Sequence, residues 1–190
     1  MRDEIAFGPK NLGFSAERIT QDTIKVLQDV DLSGYEDTMP FQLSRGQRQR
    51  LAVASILAMD PSILIIDEPT TGQDWKESIS IMELVKQLND QGHTCIVITH
   101  NMNLVSLYAR RVIVLSQGRV LLDGPTQQVF REVEALLSAS IKPPEVYELA
   151  EAVLPNLSLD KPITPKDLVD LLVEHVLDTS QVSGDQERSQ

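Results

Sequence analysis

"ILIIDEPTTGQD" (residues 63–74) carries four apolar side chains directly into two adjacent carboxylates, Asp67 and Glu68. An apolar run of this length, bounded by turn residues and without alternation, reads as a strand covered on both faces. Like charges side by side at its end repel unless something uses them. A bound cation that needs one carboxylate, next to a water that needs a base, is such a use, and nucleotide triphosphate hydrolysis requires that arrangement.

Working outward, two more apolar runs, "CIVI" (95–98) and "VIVL" (112–115), join "SILII" (62–66) as strands of the same buried kind. Ile81, Leu84, Val85 and Leu88 place one apolar stripe on a helix between the first two strands, which makes a parallel crossover unit. A shorter helix near Met102 to Ala109 repeats the pattern before the third strand, and "SQG" (116–118) then turns the chain into "RVLLD" as an antiparallel edge hairpin. On the N-terminal side, Ile19, Thr23, Val26, Leu27 and Val30 recur at helical spacing over 15–30. Residues 31–42 read as loop. Ser44 with Gln47 forms a capping box that opens a helix whose "LAVASILAM" is apolar on nearly every side, so that helix is expected to be buried.

Past Gly124 and Pro125 the character changes. Val146, Leu149, Ala150 and Val153 give one stripe, and Leu168, Leu171, Leu172 and His175 another, the second opened by Thr164 as cap and Pro165 in the first turn. Residues 125–178 therefore read as a small helical appendage, and 179–190, with one apolar side chain, as a disordered tail.

The chain has 190 residues and a formal net charge of -11, enough for one ordinary core and unfavourable for a nucleic-acid or anionic-lipid surface. Cys95, the single cysteine, lies within "TCIVIT" and reads as a small core residue in a reducing compartment. No export signal opens the chain, and no apolar run approaches the roughly 18–20 residues that span a bilayer, so a membrane role would pass through a partner.

Ligands of a parallel sheet bind beyond the carboxyl ends of its strands. Asp67 and Glu68 end one strand and His100 follows the next, so the three are expected in one crevice. There Asp67 would hold magnesium through water, Glu68 would take or polarise the proton of an attacking water, and His100 would steady that water and the terminal phosphate. "LSRGQRQR" adds an outward-facing helix start, an anion site through its amide donors and dipole. Arg45, Arg48 and Arg50 oppose that dipole, a penalty that a facing phosphate would remove. Each feature also has a bland reading, as a helix cap or a satisfied polar residue at a strand end.

Together, "LSRGQRQRLAVASILAMDPSILIIDEPTTGQD" followed by "VITHN" resembles the ATP-binding cassette (ABC) ATPases: signature motif, Walker B strand with its acidic pair, D-loop and switch histidine, in order. "DEIAFGPKNLGFSAERI", "PPEVYELAEAVLP" and "ITPKDLVDLL" resemble the energy-coupling-factor subgroup, whose cassettes drive uptake of vitamins, cobalt or nickel. The resemblance implies an α/β fold, a truncated P-loop NTPase-like, mostly parallel sheet with a helical signature subdomain and a small C-terminal helical appendage. It divides the chain into a partial ATPase domain over 1–124, with the helical subdomain to about 60, and the appendage over 125–178. It implies ATP and Mg2+ as cofactors. Ser44, Gly46 and Gln47 would touch the γ-phosphate held by an opposing subunit, Arg45 would tune affinity for that nucleotide, Asp67 would hold the metal, Glu68 and His100 would be catalytic, and Asp74 would lie at the dimer seam. The implied partners are a second ABC ATPase subunit and transmembrane transport subunits, with the protein peripheral on the cytoplasmic face of the membrane and no nucleic acid bound. Arg45, Gln73 and Trp75 depart from the commonest pattern, in place of a glycine, a leucine and a proline.

The pattern G-x-x-x-x-G-K-[ST] does not occur, and no glycine precedes a lysine. Without that loop the phosphates lack their cradle, so the chain alone is expected to bind ATP weakly and not to turn it over. A fragment or misplaced start, a split subunit, and a half-site lending its signature helix to a neighbour all satisfy the sequence. Besides a transport ATPase subunit, two other functions compete: a chromosome or DNA-repair ATPase, disfavoured by the acidic balance and the lack of heptad segments, and a non-catalytic interaction module. His93, in "DQGHT", reads as a solvated loop residue, and His175 as a core or interface histidine.

Overall fold

The computed structural model describes residues 1–153 and 161–174 and divides into two compact units, Met1–Thr99 and His100–Gln190. The first unit opens with α1 (Arg2–Asn11), an element with no forewarning in the periodicity, which buries Ile5, Ala6 and Pro9. Gly8 lets it press on the end of α3 (Arg45–Leu57), since a Cβ there would lie 2.9 Å from Cγ of Met59. Between them, α2 (Ala16–Asp29) is capped by Ser15, whose Oγ accepts from the Arg18 amide, and buries Ile19, Thr23, Val26 and Leu27. The expected stripe is thus the packed one. These faces, with Leu32, Leu43, Leu51, Ala54 and Leu57, form a small three-helix core. The "LAVASILAM" helix is less enclosed than its composition suggests, because Ala52 and Ile56 are exposed.

β1 (Ile63–Asp67) and β2 (Thr94–Ile98) pair in parallel with Ile65 opposite Ile96 and Asp67 opposite Ile98. α4 (Trp75–Asp90) connects them and buries Ser78, Ile81, Met82, Leu84, Val85 and Leu88. It covers the face of Leu64, Cys95 and Val97, where the Cys95 thiol donates to the Val85 carbonyl at 3.7 Å. Burial raises the pKa of that thiol, as fits a packing residue. The other face is bare: Ile63, Ile65, Ile96 and Ile98 are 58%, 67%, 47% and 52% exposed. The expectation of strands covered on both sides is therefore wrong within the described residues. Apolar side chains are present for two covers, and α4 supplies one. His93 is also tied down, its Nδ1 2.8 Å from the Pro61 carbonyl oxygen, not a free loop residue.

In the second unit, β3 (Arg111–Ser116) does not extend the parallel pair. It forms an antiparallel hairpin with β4 (Arg119–Pro125) across Gln117 and Gly118, both at positive φ as a tight primed turn requires. The Arg111 guanidinium closes the open end bidentately on Asp123 at 2.7 and 2.8 Å, which holds that carboxyl below its ordinary range. Helices α5 (Met102–Tyr108), α6 (Thr126–Arg131), α7 (Val133–Ser138) and α8 (Glu145–Val153) surround a core of Val114, Val129, Phe130, Leu136, Tyr147 and Ile163. α8 turns Tyr147 and Ala150 inward and leaves Leu149 and Val153 exposed, a rotation of the expected stripe that lets the large ring reach this core. Residues 165–174 are helical, with a reciprocal cap between Thr164 and Asp167. His175 and the 179–190 tail lie outside the described residues.

One-sided cover has a measurable consequence. Leu88→Ala, on the packed side of α4, should destabilise the protein by about 2–5 kcal/mol in urea unfolding. Ile65→Ser on the bare face should change stability by less than about 1 kcal/mol. A larger effect at Ile65 than at Leu88 would contradict the assignment of faces.

Candidate functional site

Two groups of side chains converge in the first unit. At the start of α3, Ser44 adopts an extended backbone, its Oγ accepts from the Gln47 amide at 3.2 Å, and its own amide donates to Oε1 of Gln47 at 2.9 Å. The reciprocal cap satisfies two groups. The amides of Arg45 and Gly46, in the first turn, are among those a helix leaves without an internal acceptor. Ser44, Gly46 and Gln47 line a cavity of about 300 Å³ with Arg50, Gln73 and Glu77. The buried Oε1 of Gln73 has no protein partner there.

The three arginines do not wait for an anion. Arg48 donates through Nη1 to the Leu43 carbonyl. Arg50 Nη1 donates to the Val30 carbonyl at 2.8 Å and to Oδ2 of Asp31 at 2.9 Å, and its Nη2 to the Ser80 hydroxyl at 2.5 Å. Arg45 Nη2 donates to the Thr71 carbonyl at 2.5 Å. The expected penalty against the dipole is offset by acceptors within the fold.

The second group sits at the carboxyl end of β1. The Glu68 amide donates to the Ile98 carbonyl at 2.8 Å, one step beyond the last strand residue, and Glu68 takes a left-handed φ of 46°. Asp67 therefore still follows the strand's alternation, on the parity of the bare face, whereas Glu68 departs from it. Thr71 Oγ1 donates to Oε2 of Glu68 at 3.2 Å. Pro69 and Thr70 are buried, Gly72 turns the chain at φ 68°, and Asp74 caps α4 by accepting from the Glu77 amide at 2.8 Å. His100 is exposed and begins the second unit, two residues past β2. Sequence reasoning passed over Thr71, Gly72 and the orphaned Gln73 oxygen. The glycine was the available signal, because "TTGQD" needs a residue that tolerates positive φ.

Among the described residues no three His, Cys, Asp or Glu side chains cluster as a complete metal cage. That is compatible with Mg2+, which keeps most of its waters and takes one or two carboxylates plus phosphate oxygens. The exposed carboxylate of Asp67 suits such partial, water-mediated ligation. No helix among the described residues is long and apolar enough to cross a membrane.

Comparison with known proteins places this geometry in a family. The family model described as "ABC transporter" matches residues 3–71. A putative ABC transporter ATP-binding protein of Caldanaerobacter subterraneus is 49% identical over 148 residues, 78% of this chain and 26% of the relative. The energy-coupling factor transporter ATP-binding protein EcfA of Methanococcus maripaludis is 40% identical over 151 residues, 80% of this chain and 54% of the relative. Among solved structures, cbiO1 of Clostridium perfringens, described as part of the ABC transporter complex cbiONQ, superposes with a TM-score of 0.65 at 32% identity, covering 80% of this chain and 57% of that one. The chain thus spans about a quarter to just over half the length of the relatives it matches.

The capping box is separable from any ligand. Ser44→Ala should lower stability by about 1 kcal/mol in urea unfolding, while Ser44→Asp, which retains an acceptor, should restore most of it. Equal losses in both variants would show that the cap is not what Ser44 contributes.

Proposed function

The chain belongs to the ABC transporter ATPase family, and from that premise we propose that it is the signature and acidic-pair portion of an ATP-hydrolysing subunit that drives import of a metal ion or vitamin through membrane partners. The observation that carries this reading is the paired geometry of the first unit: a capped, outward-facing helix start at Ser44 and a carboxylate pair at the end of a parallel strand. Relatives named as energy-coupling factor transporter ATP-binding proteins support the reading as an ATPase portion of a transporter.

Each residue has a stated task. Ser44 and the amides of Arg45 and Gly46, held in place by the Gln47 side of the capping box, bind the γ-phosphate presented by a second ABC subunit, as a helix start binds an anion. Asp67 would hold Mg2+, which when bound would supply charge neutralisation on the transferred phosphate. Glu68 receives a proton from the attacking water, its carboxyl oriented by the Thr71 hydroxyl. His100 contacts the terminal phosphate on the strength of the "VITHN" pattern, and Asp74 sits at the seam between subunits. Residues 1–124 form the ATPase part and 125–178 an appendage. The protein acts as a homo- or heterodimer on the cytoplasmic side of the membrane, bound to transmembrane subunits.

One observation favours a second reading. The 190 residues contain no glycine-rich phosphate loop, so the triphosphate's cradle must come from residues outside them, and a non-catalytic module lending its signature helix would meet the same description. The two part on a single experiment. The purified chain alone should hydrolyse ATP at background rate, and adding a polypeptide that bears the phosphate loop should restore turnover. Glu68→Gln should then lower kcat by about 10²-fold or more, and Asp67→Asn should raise the Mg2+ concentration needed. Restored turnover indifferent to Glu68→Gln would favour the module; brisk hydrolysis by the chain alone would defeat the requirement for a supplied loop.

A further inference from the structure

Arg45 stands at the first position of α3, where a cation opposes the helix dipole. Its side chain crosses to the loop after β1, where Nη2 donates to the Thr71 carbonyl at 2.5 Å. The guanidinium lies so close over Gly72 that a Cβ there would come within 2.6 Å of Nη2 and 2.7 Å of Cζ. Gly72 also has φ 68°, so glycine meets two demands at one position, a left-handed backbone and a flat guanidinium against it. Thr71, which receives the arginine on its carbonyl, donates its hydroxyl to Oε2 of Glu68 at 3.2 Å and its amide to the Glu68 carbonyl at 3.3 Å. A continuous path of hydrogen bonds therefore runs from the signature helix, through one threonine, to the carboxylate.

We propose that Arg45 is a positioning residue for Glu68, acting through Thr71. This rests on the reading of Glu68 as the base that accepts the water's proton. Glu68 holds a left-handed backbone that its surroundings must maintain, and the 68–72 turn supplies those surroundings. Thr71 fixes which carboxyl oxygen faces the loop and thus the plane of the carboxyl group. Arg45 fixes Thr71, because a charge-assisted bond to its carbonyl anchors the turn to a helix that is itself packed on α1 and α2. The Arg45 side chain is thereby an internal strut and not a nucleotide ligand, and the arginine in place of the signature glycine couples helix and base within one subunit.

Two readouts test this. In the full chain, Arg45→Ala should speed amide hydrogen exchange at Thr71 and Gln73 about tenfold while the amides of α3 and β1 keep their rates, and Arg45→Lys should recover part of the protection. In the assembly that hydrolyses ATP, Arg45→Ala and Thr71→Val should each lower kcat about tenfold with KM for ATP unchanged, whereas Thr71→Ser, which keeps the hydroxyl, should retain most of the rate. Unchanged exchange at Thr71 and Gln73, acceleration spread evenly along α3, or a raised KM at constant kcat would each overturn the proposal. Hydrolysis indifferent to Glu68→Gln would remove Glu68 as the base while leaving the exchange result standing, so the two failures are distinguishable.

Discussion

The amide of Glu68 donates to the carbonyl of Ile98, and the arrangement of the carboxylates depends on that bond. It extends the β1–β2 ladder one residue beyond the pair Asp67 and Ile98 and so locks the register. A slip of one residue would exchange the faces of every strand side chain, moving Leu64 off α4 and Asp67 to the packed side. With the register fixed, the left-handed φ of Glu68 breaks the alternation at the required place. Unbroken alternation would send Glu68 to the α4 side; the turn takes it to the Thr71 hydroxyl instead, while Asp67 stays exposed on the parity of the bare side.

The bare side of the β1–β2 pair leaves apolar burial unrealised. Four isoleucines, each about half exposed, leave roughly 1 kcal/mol of burial apiece unrealised, a sum comparable with the lower end of the 5–15 kcal/mol that separates folded from unfolded domains. The first unit still folds around α4 and the three-helix cluster, because their faces are saturated independently of that side. Asp67 shares the parity of the isoleucines, so whatever covers them also removes water from around the carboxylate. Removing water strengthens every charge interaction made there. Stability and chemistry thus ask for the same cover.

How far the sequence foretold this depends on how local each signal was. The Ser44–Gln47 box, the Ser15 and Asp74 caps and the Gln117–Gly118 turn satisfy backbone groups within three residues of themselves, and the box and the turn are legible from spacing alone. The pairing of β1 with β2 followed from the crossover helix. Signals that depend on distant partners failed. Nothing in "VIVL" says that β3 pairs only with β4 among the described residues, and nothing in the 146–153 periodicity says that Tyr147, not Leu149, reaches Phe130 and Leu136. α1 was hidden because Gly8 and Pro9 discourage a helix locally, while the contact of Gly8 with Met59 rewards one in the fold.

The arginines show why charge pattern and site chemistry need separate treatment. Read along the chain, Arg45, Arg48 and Arg50 at a helix start imply an unmet anion. In the fold they reach three different carbonyls, of Thr71, Leu43 and Val30, each in a segment that helical hydrogen bonding cannot organise. A guanidinium suits this work, since its fork offers several donors and Arg50 uses it on a carbonyl, a carboxylate and a hydroxyl at once. The dipole's opposition is the smaller quantity, about 0.3–1 kcal/mol per charge, against charge-assisted bonds worth about 1.5–3 kcal/mol before solvent exposure weakens them. The balance favours the struts. Any anion selectivity at the start of α3 then falls to backbone amides and the Ser44 hydroxyl, groups whose geometry the capping box sets and which carry no net charge of their own.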